Sequence, residues 1–590
     1  MLRFFILIFN FLIIEIKLYK QKLVFLIEFI EKISLFNLLI NLLFNKKKSL
    51  FKDQNLNFFL KYNPKLWKLN IETEDKTILI DLTLNRQPIH AICQCLLANN
   101  LRKINNYKCK AIIKEYDILT KFIAKSFLIT SFIIIKNTNF FTRLNYYLKA
   151  INIIPEENLE NNLIKYKYNN IEIGKAAYEF AIRNYFKFLP EKKKYYLFYL
   201  ALSKSFQIYD QINLILNEKN IKILVMAEIQ FLPHRIFFQI SQQRKIKVFS
   251  MFGAQNSNTI SVTCFNDFKK KNMHRMKFSK KLYFFLSKNF KFQLNTNIKN
   301  FIHKQMYNFQ LGFGEKKFQK ILSKKKLLVF NNKKDFYDKY KLDYKLKNIL
   351  ILPNVFVDNI LTHDWGLYST PLEWYKDTLK KITNIKSVNW IIKPHPSERF
   401  YNTNITAKTI YESIISKKND NIRIINENEN ISKLSEYVTS VISFGGSAGY
   451  EYTYFGIPVV TVCETRYSNF NITISPKNMS EYNNILKKID KLKKVSKNDK
   501  FNAGLYWYLI RHLTQIKHSL IPIFDNKKIT NKLFWKKQKI KLIKHNKYAD
   551  QLFLSNLKTQ YLNQNRHCLN VQSLNKNKFI DLSLNDLKLN

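Results

Sequence analysis

Ser443-Phe444-Gly445-Gly446-Ser447-Ala448-Gly449-Tyr450-Glu451, with Tyr454-Phe455-Gly456-Ile457-Pro458-Val459 shortly after it, is the stretch that decides the fold. An apolar run at 440–443 predicts a strand, the small residues predict a tight turn, and a helix follows until Gly456 and Pro458 end it and start the next strand. Strand, glycine turn and helix together aim free backbone N–H groups and the positive end of a helix at the carboxyl edge of a sheet. That arrangement favours phosphate. Only ten glycines occur in 590 residues, so three of them at 445, 446 and 449 argue for more than tight packing. Glu451, in the first turns of that helix, is placed to accept hydrogen bonds from ribose hydroxyls.

A second stretch, Lys393-Pro394-His395-Pro396-Ser397-Glu398, follows the predicted strand at 390–392 and so lies at the same edge of the same sheet. The flanking prolines restrict the backbone around His395. An imidazole held there beside a lysine can donate to a phosphate or neutralise a departing one. Further apolar runs at 347–353, 422–425 and 458–462 complete a strand–helix alternation, and Thr370-Pro371 with Glu373 marks a helix start between two of them. The same alternation occurs earlier, with runs at 77–81, 110–114, 131–136, 221–228 and 247–250 separated by helical patterns. Two mostly parallel sheets covered on both faces are therefore expected. The expected divisions are an amphipathic helical segment at 1–70, a first Rossmann-like domain at 71–340, a nucleotide-donor domain at 341–500, and a C-terminal helix and basic tail at 501–590. The tail beyond about 540 reads as a solvated extension.

The pair formed by Lys393-Pro-His395-Pro and Ser443-x-x-Gly446-Ser447-x-Gly449-x-Glu451-x-x-x-x-Gly456-x-Pro458 resembles the donor site of bacterial surface-polysaccharide glycosyltransferases of capsule and O-antigen type. That group includes capsule Kdo transferases and, further off, polysialyltransferases and the CDP-glycerol glycerophosphotransferases of teichoic acid synthesis. Residues 345–480 carry most of the resemblance. Gly174-x-x-x-Tyr178-x-x-x-x-Arg183 is similar to an element of related enzymes. The resemblance implies an α/β, GT-B-like fold of two Rossmann-like domains with a cleft between them, metal-independent chemistry and no cofactor beyond a CMP- or UDP-linked nucleotide-sugar. It implies that His395, Ser443 and Ser447 contact the nucleotide phosphates, with Lys393, Gly445, Gly446, Gly449 and Glu451 completing the donor site. The acidic base motif of polysialyltransferases has no match here.

For a base that activates the acceptor hydroxyl, the first domain offers Asp81 after its first strand, and Glu228 and His234 after the strand at 221–227. Each also has a structural reading, as a helix-proximal acid or a packing histidine. His363 and Asp364, after the strand at 347–353, are placed either to touch the donor sugar or to sit in a solvated loop.

Lys and Arg number 98 against 43 Asp and Glu, a formal charge of +55. Such a charge raises nucleic acid or anionic lipid as partners. Lys and Asn abound along the whole chain, however, and no nucleic-acid-binding motif accompanies the charge. The expected partners are a nucleotide-sugar donor and a glycan or glycolipid acceptor, without nucleic acid. Six cysteines lack the paired spacing of a zinc site or disulfide framework, which suggests a reducing, cytoplasmic setting. Between residues 4 and 44 the apolar stretches are too short or too interrupted for the ~20-residue span of a bilayer. The amphipathic run at 23–44, closed by Lys46-Lys47-Lys48, reads either as a peripheral anchor on an anionic inner membrane face or as helices packed on the first domain. Two other functions stand beside the glycosyltransferase: a phosphotransferase using a CDP-linked polyol, and a non-catalytic basic membrane- or nucleic-acid-binding protein.

Overall fold

In the computed structural model the residues described are 9–16, 53–67, 74–84, 88–115, 117–253, 258–266, 276–307, 332–358, 360–361, 366–401, 403–415, 420–429, 434–522 and 532–570. The strands, in chain order, are β1 (Glu74–Asp81), β2 (Tyr107–Lys114), β3 (Ser131–Ile135), β4 (Ile221–Met226), β5 (Lys247–Gly253), β6 (Thr259–Phe265), β7 (Lys347–Leu352), β8 (Val388–Ile392), β9 (Ile422–Ile424), β10 (Ser440–Ser443), β11 (Val459–Thr461) and β12 (Ile516–Lys517). They form two sheets, one of seven strands in the order β12-β6-β5-β4-β1-β2-β3 and one of five in the order β11-β10-β7-β8-β9. Strands β1 to β5 are parallel to one another, as are β7 to β11. Numbered within its own half, each parallel set has the order 3-2-1-4-5, the Rossmann order. The chain therefore reverses its winding direction between β1 and β4 in one half and between β7 and β10 in the other. Those two positions are where open α/β sheets bind ligands.

Both sheets are covered on both faces. Leu79 of β1 and Leu224 and Met226 of β4 join one apolar cluster, while their neighbours Ile78, Ile80, Ile223 and Val225 join another. In the second sheet Ile349, Ile351 and Ile442 face that same first cluster, and Leu350 and Val441 face the opposite side. One cluster thus runs without a break from the first half into the second, which fixes the halves as one packed body.

The junction is held by a buried ionic clamp. Arg235, 1% exposed, lies in helix His234–Gln243 after β4, and Glu179, 4% exposed, lies in helix Ile173–Asn184. Arg235 donates to the Glu179 carboxylate at 2.7 Å and to the Leu361 carbonyl at 2.7 Å, while Glu179 accepts from the Leu361 amide at 2.6 Å. Leu361 belongs to the segment after β7, so the carboxyl edges of the two sheets face one another. Arg183 reinforces the contact through an ion pair with Asp358 at 3.0 Å, its guanidinium lying 4.1 Å over the Phe231 ring and 5.7 Å from that of Tyr401. The Gly174/Tyr178/Arg183 element is thereby a packing device. A Cβ at Gly174 would lie 1.9 Å from the Leu163 carbonyl, and the Tyr178 ring stacks on Phe198.

Three expectations are corrected. The C-terminal helix expected from 501 begins within the second half's packing and ends early, as helix Lys497–Tyr508 and a π-helical turn Leu509–Leu513, because the chain then returns to the first half as β12 and pairs antiparallel with β6. Nor do the described residues beyond 540 form a solvated extension. Phe553, Leu557 and Cys568 are fully buried against the first sheet, and Asp550 anchors the segment by accepting from the Ser519 amide and pairing with His518 at 3.0 Å. Conversely, helix Lys280–Tyr307, expected with the first domain, packs its Leu286, Phe290 and Leu294 side against Tyr506, Leu509 and Tyr450, which the second half supplies. Strand β6 was not foreseen at all. At the other end, helix Gln54–Tyr62 buries Leu56 and Phe59 on the first half, and Phe11 is buried against the Tyr147 ring 4.8 Å away. Residues 17–52, including the amphipathic run and Lys46–Lys48, lie outside the described residues.

Because Glu179 and Arg235 are out of water, removing one partner strands the other. Arg235→Ala is expected to lower stability by about 3–5 kcal/mol in urea unfolding, and the paired Glu179→Leu/Arg235→Met variant by much less. A single-variant loss under about 1 kcal/mol would show that the junction does not depend on this pair.

Candidate functional site

The donor-side residues assemble at the reversal between β7 and β10. Ser443 ends β10, paired in register with Leu352 of β7 and Thr461 of β11, and is 1% exposed. Gly445, Gly446 and Ser447 form the turn, and helix Ala448–Phe455 starts without a side-chain cap. The Ser447 hydroxyl bonds Glu451 instead, and the Gly449 amide donates to the Gly446 carbonyl at 3.3 Å.

The three glycines answer different demands. At Gly449 a Cβ would lie 1.9 Å from the Tyr467 hydroxyl, which donates to the Gly446 carbonyl at 2.9 Å, and at Gly445 it would lie 2.9 Å from the Cys463 sulfur. Both are packing requirements. At Gly446 the nearest atoms to a Cβ are Ser443 Oγ at 3.7 Å and Asn354 Oδ1 at 3.9 Å, ordinary contact distances. Protein packing does not require glycine there. Its bare backbone faces the winding reversal, between the residues that follow β7 and β10, where a ligand would approach.

Lys393 and His395 follow β8 at the same edge. The Lys393 side chain is 4% exposed and lies within electrostatic range of Glu427, Glu429 and Glu451. Burial pushes its ammonium down, to about 8, against the pull of those acids. His395 is open to solvent yet surrounded by protein, as a side chain lining a concavity is. Desolvation first and the Lys393 charge second push its imidazole down to about 4, so it is neutral near pH 7. Its Nδ1 accepts from the Ser397 amide at 3.1 Å. A neutral ring accepting at Nδ1 carries its proton on Nε2, so His395 is a hydrogen-bond donor without net charge. The expectation that it neutralises a departing phosphate by its own charge is corrected to that extent; the donor capacity remains.

Glu451 is more enclosed than a ribose ligand at a rim would be. It is 4% exposed, and burial pushes its carboxyl up while Arg511, the Ser447 hydroxyl, Arg466 and Lys393 pull it down. Arg466 and Arg511 were missed in the sequence, as isolated cations among 98.

Across the junction, Asp81 ends β1 and His234 opens the helix after β4, at the winding reversal of the first half. The structure brings them together. His234 Nδ1 lies 2.7 Å from an Asp81 oxygen, and both are buried. The other Asp81 oxygen accepts from the Thr83 amide at 3.0 Å and the Thr83 hydroxyl at 2.6 Å, and Gln94 bonds the Asp81 carbonyl. Burial pushes the Asp81 carboxyl up, but His234 and the Thr83 donors outweigh it and hold the group below the usual carboxylate range. An aspartate so held orients the imidazole. Glu228 lies in the loop that follows β4. One of its oxygens accepts from the Ile229 and Gln230 amides at 2.7 Å each, bracing the loop after β4. His363 and Asp364 lie outside the described residues. Among the described residues no group of three or more His, Cys, Asp or Glu side chains is placed to hold a metal ion.

Fold and site define a chain of two Rossmann-like halves with facing carboxyl edges, a GT-B-like arrangement. No family model matches the chain, and no curated protein does. Solved structures are similar at low overlap. A Thermosulfurimonas dismutans KpsC structure described as a beta Kdo 2,7 transferase has 12% identity and a TM-score of 0.28, covering 57% of this chain and 89% of its own. Its beta Kdo 2,4 transferase counterpart has 10% identity and a TM-score of 0.27, covering 48% and 79%. A Methanocaldococcus jannaschii UDP-GlcNAc 2-epimerase in complex with UDP-GlcNAc and UDP has 12% identity and a TM-score of 0.25, covering 74% and 99%.

The glycines separate packing from binding. Gly449→Ala should destabilise the fold by about 1–3 kcal/mol through overpacking against Tyr467. Gly446→Ala should melt within a few degrees of the parent yet bind nucleotide at least about tenfold more weakly, a loss of about 1.4 kcal/mol. Unchanged affinity in Gly446→Ala, read by calorimetry, would remove the turn from the ligand site.

Proposed function

We propose that the chain is a metal-independent glycosyltransferase that moves a sugar from a nucleotide-activated donor to a growing or lipid-linked surface glycan. One observation carries the reading. The reversal point of one half holds a glycine turn with a neutral histidine donor, and that of the facing half holds a buried Asp–His pair. A transfer between two oxygen atoms needs both: a group that meets charge on the leaving phosphate and a group that takes the proton of the incoming hydroxyl.

In this reading the nucleotide phosphates lie on the Gly445–Ser447 backbone and the helix start, with Ser443, Ser447, Lys393 and Glu451 around them. The Nε2–H of His395 donates a hydrogen bond to the phosphate as negative charge grows there and the sugar bond breaks. His234, steered by Asp81, accepts the acceptor hydroxyl's proton as the new bond forms, and Glu228 holds the adjoining loop. The natural test is a screen of full-length protein against CMP, CDP, UDP and GDP by thermal shift, followed by donor consumption. Consumption of a CDP-polyol with release of CMP would instead make the chain a phosphotransferase, and stabilisation by none of the four would set the nucleotide reading aside.

The two walls should separate kinetically. His395→Ala is expected to lower turnover about 10²–10³-fold with a smaller loss of donor affinity. His234→Ala and Asp81→Asn should lower turnover about 10²–10⁴-fold and leave donor affinity alone. Full turnover in folded His395→Gln would exclude the phosphate role, and full turnover in His234→Ala would exclude the base.

Membrane association belongs to the same proposal. No helix among the described residues is long and apolar enough to cross a membrane. In residues 9–16, Phe11 and Glu15 turn inward, Glu15 pairing with Arg143, while Phe9 and Ile16 stay exposed. That exposed apolar face, next to the lysine-rich residues up to 48, suits the boundary of an anionic bilayer. Phe9→Ser/Ile16→Ser is expected to release the protein from phosphatidylserine vesicles in a flotation assay without changing nucleotide binding. Unchanged flotation of this variant and of a chain lacking residues 1–48 would make the segment a packing element only.

A further inference from the structure

Asn354 belongs to none of the motifs quoted above, yet the fold sets it at the reversal point of the second half. It follows the end of β7 by two residues, after Pro353, while the neighbouring strand β10 ends at Ser443, in register with Leu352. From Ile349 to Val357 every residue is buried except Leu352 and Asn354, so the one polar residue of the run is also one that stays half open. The Asn354 side-chain oxygen lies 3.9 Å from the point that a Cβ at Gly446 would occupy, and Ser443 Oγ lies 3.7 Å from it. The usual tasks of asparagine do not account for this one. Asn139, Asn478 and Asn546 cap helices, and Asn348 and Asn389 bond main-chain carbonyls in the interior. Among the described residues Asn354 caps no helix and makes no side-chain hydrogen bond, and its backbone is not left-handed. The Ser443 hydroxyl has no hydrogen-bond partner among them either. Two unengaged polar groups therefore border Gly446, the glycine of this turn that packing does not require.

We propose that Asn354 is a further donor-binding residue, whose carboxamide NH2 bonds the phosphate admitted by the bare backbone of Gly446, so that this phosphate is held between the ends of β7 and β10. This rests on the nucleotide-donor reading above. A carboxamide that no hydrogen bond fixes can turn either its oxygen or its NH2 to the same space, and an anion selects the NH2. Its two N–H donors reach the phosphate from the β7 side, and the amides of the glycine turn reach it from the β10 side. The contact is neutral, so it adds direction to the charge that Lys393 supplies. A carboxylate of the same shape would offer no donor and would bring a second negative charge against the phosphate.

The experiment is calorimetry on the full chain with CDP, UDP, cytidine, uridine and inorganic pyrophosphate, for the parent and for Asn354→Ala, Asn354→Asp, Gly446→Ala and the Gly446→Ala/Asn354→Ala pair. Thermal unfolding of each variant shows that it is folded, and the aspartate, matched in shape, is the variant least able to disturb the loop. Asn354→Ala should bind CDP or UDP at least about tenfold more weakly than the parent, and Asn354→Asp at least about tenfold more weakly again. Affinity for cytidine and uridine, which carry no phosphate, should not change. If both residues meet one phosphate, the paired variant should lose less than the product of the two single losses. Nucleotide binding by Asn354→Asp within about threefold of the parent would overturn the proposal, as would an equal loss for nucleosides and nucleotides. Full multiplication of the two single losses would overturn the shared phosphate. Asn354-dependent binding of pyrophosphate with no nucleotide binding would keep the phosphate contact and overturn the nucleotide reading. Binding of none of the five ligands by the parent would end both.

Discussion

The contact between Arg235, Glu179 and Leu361 is the constraint on which the site depends. Each half, taken alone, has a Rossmann core with a reversal point, and each reversal point carries half of the proposed site. They become one site only if the carboxyl edges face each other at a fixed separation. The clamp ties the segment after β7 to the helix after β4, and Arg235 is the residue next to His234. The same helix that holds the halves together therefore also places the candidate base. Three hydrogen bonds, one of them between full charges and two between a charge and the Leu361 backbone, satisfy groups that would otherwise be stranded in the interior, and this geometry tolerates little drift.

What the sequence disclosed follows from what kind of signal each element makes. The parallel strands are short apolar runs between helical patterns, so ten of the twelve strands stand out, and the Lys393–His395 and Ser443–Glu451 stretches mark one edge by their proline and glycine chemistry. Strand β6 and the two-residue β12 make no such signal, because an antiparallel edge needs neither a long run nor a crossover helix. The return of the tail was hidden by composition: its Lys- and Asn-rich surface masks Phe553, Leu557 and Cys568, which reach the first core. Pairing of Asp81 with His234, 153 positions apart, is a consequence of topology alone, since β1 and β4 become neighbours only when the chain reverses its winding. Arg466 and Arg511 are invisible for the opposite reason. In a chain with 98 basic residues a single arginine is noise until folding shows which ones point inward.

The electrostatics of the two walls differ in a way that suits their proposed tasks. On the donor side the permanent charge is on buried Lys393 and on the arginines, while His395 is kept neutral by burial and by Lys393. A neutral donor gives up its hydrogen bond without having bound the ground-state phosphate tightly, so its contribution grows as charge develops. On the other wall His234 faces a carboxylate held below its usual range.

The distribution of glycine carries the argument one step further. A chain this poor in glycine retains the residue where a side chain would collide, and Gly174, Gly445 and Gly449 each meet such a neighbour. Gly446 does not. It has ordinary space around a notional Cβ and no left-handed backbone that would demand glycine, so neither sterics within the chain nor conformation accounts for it. What remains is the space itself, bordered by Ser443 and Asn354 at the point where β7 and β10 part. A backbone left bare on the binding side of a Rossmann turn lets a phosphate come within hydrogen-bond reach of the amides, which a methyl group there would obstruct. The vacancy at Gly446 is thus the feature of the donor wall least explained by folding alone, and the one that ties that wall most directly to a ligand.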